Sequence, residues 1–162
     1  MLTITSDDLG NVGQALRQLS GSLKNTRPLM RGIATLLENS TRKRFETKTA
    51  PDGSRWANWT PSTQRAYAKP IYRQRNKKRY VAALKPRSKE RLMRDSSRLL
   101  RSLTRHATAN LAQVGTNVVY APHHQFGTKR MVARPMFGLS AQDSADIVDL
   151  LHDFVREQWE QS

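Results

Sequence analysis

Apolar side chains recur along this chain at helical spacing in three places and alternate with polar ones in two others. The C-terminal stretch is the clearest. Ile147, Leu150, Leu151, Phe154, Val155 and Trp159 share one broad face of a helix, while Asp146, Asp149, Asp153, Glu157 and Glu160 fall on a separate stripe. Ser140 reads as its N-cap and Asp143 stands where a capping-box acid would. The apolar face predicts burial for Leu150, Phe154 and Trp159. Upstream, Asn25 or Thr26 caps a second helix, with Pro28 in its first turn and Leu29, Ile33, Leu36, Leu37 and Phe45 as its buried stripe. Arg42, Lys43 and Arg44 give that helix a basic end, which suits a helix C-terminus. A third helix is predicted after Ser6, with Asp7 and Asp8 in its first turn and Leu9, Val12, Leu16, Leu19 and Leu23 at helical spacing. Gly10, Gly13 and Gly21 weaken it, so its stability must come from packing.

The alternating pattern predicts strands. Leu2 and Ile4 suggest a short one. Residues 102–108 and 111–117 read as a hairpin turning at Ala109-Asn110. Residues 118–120 either extend it or begin the next loop. Pro51-Asp52-Gly53 reads as a turn, residues 60–67 start a short helix, and residues 91–100 form another. The expected fold class is α+β: a small antiparallel sheet packed by two or three helices, with a long basic arm or loop at 70–91. A chain of 162 residues makes one domain that needs no metal or disulfide staple, since a domain of this size buries roughly 70% of its unfolded surface. It has no cysteine, no signal-peptide pattern at its start and no apolar run that would span a membrane.

Charge changes this picture more than composition does. The net charge is +15, and it is segregated. Residues 69–105 hold fourteen basic side chains against Glu90 and Asp95, a net of +12; residues 141–162 hold six acids against Arg156, a net of −5. Two such poles suit nucleic acid, or pairing between copies. Arg73, Arg75, Lys77, Lys78, Arg79, Lys85, Arg87 and Lys89 are the candidates for contact with DNA or a protein partner, with Tyr72 and Tyr80 available to stack on bases. Asp146, Asp149, Asp153 and Glu157 form a candidate acidic interface.

Catalytic chemistry finds no support. His123 and His124 are adjacent, which rarely lets two imidazoles converge on one metal, and no Cys, Asp or Glu lies within ten residues of them. No phosphate-cradling glycine loop, nucleophile elbow or paired-carboxylate motif is present. No catalytic residue, metal or cofactor is expected. Trp56 and Trp59 read as packing for a loop, with an interface hot spot as the alternative.

Four segments, in order, carry a resemblance. They are PDGSRWANWTPST at 51–63, LMRDSSRLLRSLT at 92–104, VGTN at 114–117 leading through Tyr120, Ala121 and His124 to Gln125-Phe126-Gly127, and RPMFGLS at 134–140. Together they resemble the phage virion morphogenesis family, over roughly residues 26–160. Ser97 stands where that family often has Gly, and Thr128 where it often has a second one. The resemblance implies a non-catalytic tail-completion protein acting late in tail assembly, at the tail top or neck where head and tail join. Mu-like phages and related prophages carry members. It further implies a ring of copies, commonly six, around the DNA path. Its neighbours would be the tail tube or terminator and the head-neck connector, with genomic DNA in the channel. The protein would move from host cytoplasm into the virion, without a membrane. Tyr120, His124, Phe126, Gly127, Arg134, Pro135 and Phe137 then form a signature loop. Gly115, Gly127 and Gly138 punctuate it and Pro122 and Pro135 stiffen it, so it suits either a fold-stabilising corner or an interface. A nonspecific nucleic-acid-binding module is the alternative function.

Overall fold

The computed structural model describes residues 25–61, 63, 92–94 and 96–160. The predicted elements within 1–24 and the basic arm at 70–91 lie outside the described residues. Two long helices form the frame: α1 (Arg27–Thr47) and, from the far end of the chain, a 20-residue partner running Ala141–Glu160. Between them come α2 (Arg98–Arg101), strands β1 (Thr104–Ala107) and β2 (Ala112–Gly115), and α3 (Ala121–Phe126); the C-terminal helix is α4. The architecture is α+β, a two-stranded antiparallel sheet with helices.

Helix α1 buries Leu29, Met30, Ile33, Ala34, Leu37 and Phe45, close to the stripe expected from the sequence, with Leu36 partly buried at its margin. Pro28 sits in the first turn, where its missing N–H loses nothing. Thr26 occupies the cap position, but its hydroxyl does not cap. It donates instead to the Ala109 carbonyl at 2.6 Å, pinning the hairpin tip to the start of α1.

The hairpin turns at Ala109-Asn110, as expected, with the Thr108 N–H donating to the Leu111 carbonyl at 2.8 Å. Its register pairs Thr104 with Gly115 and Ala107 with Ala112. Both strands are shorter than the alternation suggested. After Gly115 the chain leaves the ladder because Thr116 turns inward and accepts the Val118 N–H at 3.2 Å. Residues 118–120 therefore begin the next loop. The segment entering β1 and β1 itself run along α1 in the opposite direction: Arg105 meets Glu38, while Arg42 donates to the carbonyls of Leu100 at 3.3 Å and Leu103 at 3.5 Å.

Helix α4 runs antiparallel to α1. Asp143 faces Arg44 near one end, and the Leu150 side chain lies 3.9 Å from where a Cβ on Gly32 would stand. The capping box forms as predicted: the Asp143 N–H donates to Ser140 Oγ at 3.1 Å, and the Ser140 N–H to Asp143 Oδ2 at 2.8 Å. Ile147, Leu151 and Phe154 are buried, and Leu150 and Val155 partly so.

One expectation is corrected. Trp159 is 81% exposed rather than core, because α4 overruns the start of α1. Arg44 stands in the last turn of α1, as the basic helix end suggests, but its side chain is buried. It is 5% exposed, donates to the carbonyls of Met136 at 3.0 Å and Gly138 at 2.8 Å, and pairs with the buried Asp143. Burial pulls the guanidinium below its ordinary value, opposed by the Asp143 carboxylate. The three basic residues diverge because successive helical side chains point about 100° apart. Arg42 goes to Glu38, Lys43 to solvent and Arg44 inward.

Removing one partner of a buried ion pair strands the other. Arg44→Ala is expected to lower stability by about 3–5 kcal/mol, read as a shift in urea midpoint at constant slope. Glu38, itself buried, supplies a pH signature. Burial pushes its carboxyl up, but hydrogen bonds from Arg42 and Arg105 together hold it below the ordinary 4.5. Its contribution is therefore present above pH 4.5 and lost as pH falls through the lowered folded value. Glu38→Gln should be less stable than wild type at neutral pH, with the gap closing in acid; a gap that does not change with pH refutes this.

Candidate functional site

The signature loop begins where the hairpin ends, and its first part is helical. Residues 121–126 form α3, with Pro122 in the first turn, where a stiff loop was expected. The chain then passes through Gly127 into a small bridge between Thr128 and Met131 and continues extended to Gly138. Four side chains hold this path in place.

Gln125 acts as a substitute strand edge. Its Oε1 accepts the N–H groups of Met136 at 2.9 Å and Phe137 at 3.0 Å, and its Nε2 donates to the Phe137 carbonyl at 2.8 Å. Arg134 is 7% exposed and donates to the carbonyls of Ala57 at 2.8 Å and Asn58 at 3.1 Å, while its own N–H reaches the His124 carbonyl at 2.7 Å. Burial lowers its guanidinium from the ordinary value. Trp56 is buried, with Nε1 donating to the Pro135 carbonyl at 2.8 Å and its ring edge-on to Phe45 at 5.4 Å between centroids. Arg44 closes the set. Trp59 is partly buried against the same core. Both tryptophans therefore pack the loop, as the residues suggested.

Two of the three punctuating glycines are required by geometry. Gly127 has φ +74° and ψ −175°, a region almost restricted to glycine, and a Cβ there would lie 2.8 Å from the Met131 carbonyl oxygen. Gly138 has φ +147°, and a Cβ would meet Pro51 Cγ at 2.7 Å. Gly115 is an ordinary strand residue. Ser97 adopts a left-handed conformation, φ +57°, directly before α2. The turn geometry that glycine would serve is kept by serine.

Of the signature residues, Arg134 and Phe137 are buried and Gly127 and Pro135 lie between. Tyr120 and Phe126 face solvent, at 37% and 70% exposure. His124 is half-buried, edge-on to Tyr120 with centroids 5.7 Å apart. Burial, then the charge of Arg134, then His123 lower its pKa, so it is neutral at neutral pH. Its Nδ1 is enclosed and has no partner among the described residues. Tyr120, His124 and Val132 line a cavity of about 330 Å³ together with Met131, Arg98 and Arg130.

The acidic candidates sit on α4. Asp149, Asp153 and Glu157 are exposed; Asp146 is half-buried and accepts from Gln142 Nε2 at 2.7 Å, and Asp153 pairs with Arg156 at 2.7 Å. Asp146, Asp149 and Asp153 line a groove of about 790 Å³ between α1 and α4, with Lys43 also on its wall and Leu36 and Leu150 within it. The structure does not bring this stripe to the signature loop. The eight basic candidates at 73–89 lie outside the described residues. Sequence reasoning missed the roles of Arg44 and Gln125, polar residues whose partners stand 92 and 12 positions away. Among the described residues no three of His, Asp and Glu gather as metal ligands, and no helix is long and apolar enough to cross a membrane.

This protein belongs to the phage virion morphogenesis family, whose pattern matches residues 7–156. It is 30% identical over 161 residues to Mu-like prophage FluMu G protein 2 of Haemophilus influenzae, covering 95% of this chain and 96% of that protein. No solved structure matches it. The family defines a role in phage morphogenesis.

Gly127→Ala tests the loop's geometry. The backbone conformation alone is expected to cost about 1–3 kcal/mol, before the contact with the Met131 carbonyl is relieved. An unchanged Tm would refute it.

Proposed function

We propose that the protein completes the phage tail at its top, or neck, and helps join head to tail as a ring of copies around the DNA path. Membership of the virion morphogenesis family across almost the whole chain carries this reading. The distribution of charge supports it. A +12 block at 69–105 and a −5 block at 141–162 let unlike surfaces of neighbouring copies attract, and a basic lumen suits a DNA channel. The signature loop supports it in another way: Arg134, Trp56, Gln125 and Arg44 hold a backbone path that presents Tyr120 and Phe126 outward at fixed positions. A protein that must seat against a tail needs a rigid presenting surface rather than a reaction site. The tail tube or terminator on one side and the head connector on the other are its partners in this reading.

Electron microscopy of particles made without the gene tests it. Separate filled heads and finished tails are expected, rejoined when the gene is restored. Normal, joined virions would overturn the proposal.

A further inference from the structure

Five large hydrophobic side chains are exposed among the described residues: Val119 at 89%, Tyr120 at 37%, Phe126 at 70%, Val132 at 58% and Trp159 at 81%. Four of them fall within fourteen positions, beside the cavity at Tyr120 and Val132. The fifth stands alone in the last turn of α4.

These two features lie at opposite ends of the molecule. The cavity borders α2 and Arg134. Arg134 grips the carbonyls of Ala57 and Asn58, and α2 hands its Leu100 carbonyl to Arg42, so both belong to the C-terminal end of α1. Helix α4 starts at that same end, with Asp143 against Arg44, and runs away from it. Trp159 is sixteen residues past Asp143, about 24 Å along the axis at 1.5 Å per residue. A chain cannot seat its own Trp159 in its own cavity.

The two surfaces are complementary in charge as well as in polarity. Arg98 and Arg130, both exposed, line the cavity, and among the described residues no carboxylate does. Trp159 has Glu160 next to it at a helix C-terminus, where the dipole adds negative potential. An indole entering beside Met131, Val132 and Tyr120 can lie against one of these arginines, while the Glu160 carboxylate pairs with the other. Tryptophan, tyrosine and arginine are the side chains that most often dominate interface energy.

We propose that Trp159 of one copy docks in the cavity beside Tyr120 and Val132 of the next. This is a head-to-tail contact, in which one patch meets a different patch, so it propagates from copy to copy and makes a ring when the rotation between copies closes. The proposal rests on the reading that the protein works as an assembly of copies. It names the contact that builds the assembly.

A complementation experiment tests it. Trp159→Ala removes the plug and Val132→Asp places a charge at the mouth of the cavity. Both side chains are exposed in the single chain, so at concentrations where all three proteins are monomeric both variants should keep the wild-type thermal unfolding. Size-exclusion chromatography with light scattering is then run on wild type, on each variant and on their equimolar mixture. Wild type is expected to form an assembly larger than a dimer, and each variant alone to need at least tenfold higher concentration to associate. The mixture should give a dimer and nothing larger, because each pair retains one intact tryptophan facing one intact cavity. The proposal is overturned if either variant assembles like wild type, if the mixture stays monomeric, or if wild type is monomeric throughout. It is equally overturned if Val132→Asp alters unfolding of a monomeric chain while Trp159→Ala alters nothing, since the chain's own residues would then fill the cavity. Assembly that survives both substitutions leaves tail completion standing, whereas joined virions without the gene would remove that reading and leave the mixture result intact.

Discussion

Arg44 reaches from the last turn of α1 to the carbonyls of Met136 and Gly138 and to the carboxylate of Asp143. That one guanidinium joins three parts of the chain: the first frame helix, the end of the signature loop and the start of the last helix. Asp143 in turn accepts the Ser140 N–H, so the charge that neutralises Arg44 also caps α4. Burying a charge this deeply is expensive unless every donor and acceptor around it is met. An apolar pair of equal volume would remove that expense but also the directionality. Arginine is used where two helices and a loop must meet in one register.

The same logic runs through the rest of the loop. Gln125 serves two backbone N–H groups and a carbonyl, Arg134 serves two carbonyls of the 57–58 segment, and Trp56 serves the carbonyl of Pro135. Extended chain that is buried without a strand neighbour must find partners elsewhere, and here side chains provide them. Trp56, Gln125 and Arg134 fall in the segments that carry the family resemblance. They fix a backbone path, and the path decides which side chains remain outside.

Among the described residues, the large apolar side chains that remain outside are concentrated at two ends. One end carries exposed apolar and aromatic groups among arginines; the other carries a lone tryptophan among glutamates. A chain polarised in this way is suited to associate through unlike surfaces, and rigidity of the presenting loop limits the entropy lost on association.

Local order was legible from the sequence wherever neighbours in the chain decide it. The capping box at Ser140 and Asp143, the turn at Ala109-Asn110, the buried stripe of α1 and the turn at 51–53 all depend on contacts a few residues apart, and each forms as the pattern indicates. The family resemblance was legible for a similar reason: glycines at positive φ and the aromatic residues around them tolerate few replacements. Trp159 shows where periodicity stops informing. A helical face identifies which side chains point together, not whether a partner helix extends far enough to cover them. Leu150 already stands opposite Gly32, five residues from the start of α1, while α4 continues for ten more. Arg44 shows the reverse. Its position reads as a basic helix end, and only the return of the chain ninety-odd residues later supplies the carbonyls and the carboxylate that take it inside. The sequence by itself determined the two frame helices, the hairpin and the family. The tertiary structure alone decided which charges are buried and which tryptophan is free, because burial depends on what else arrives at the same place.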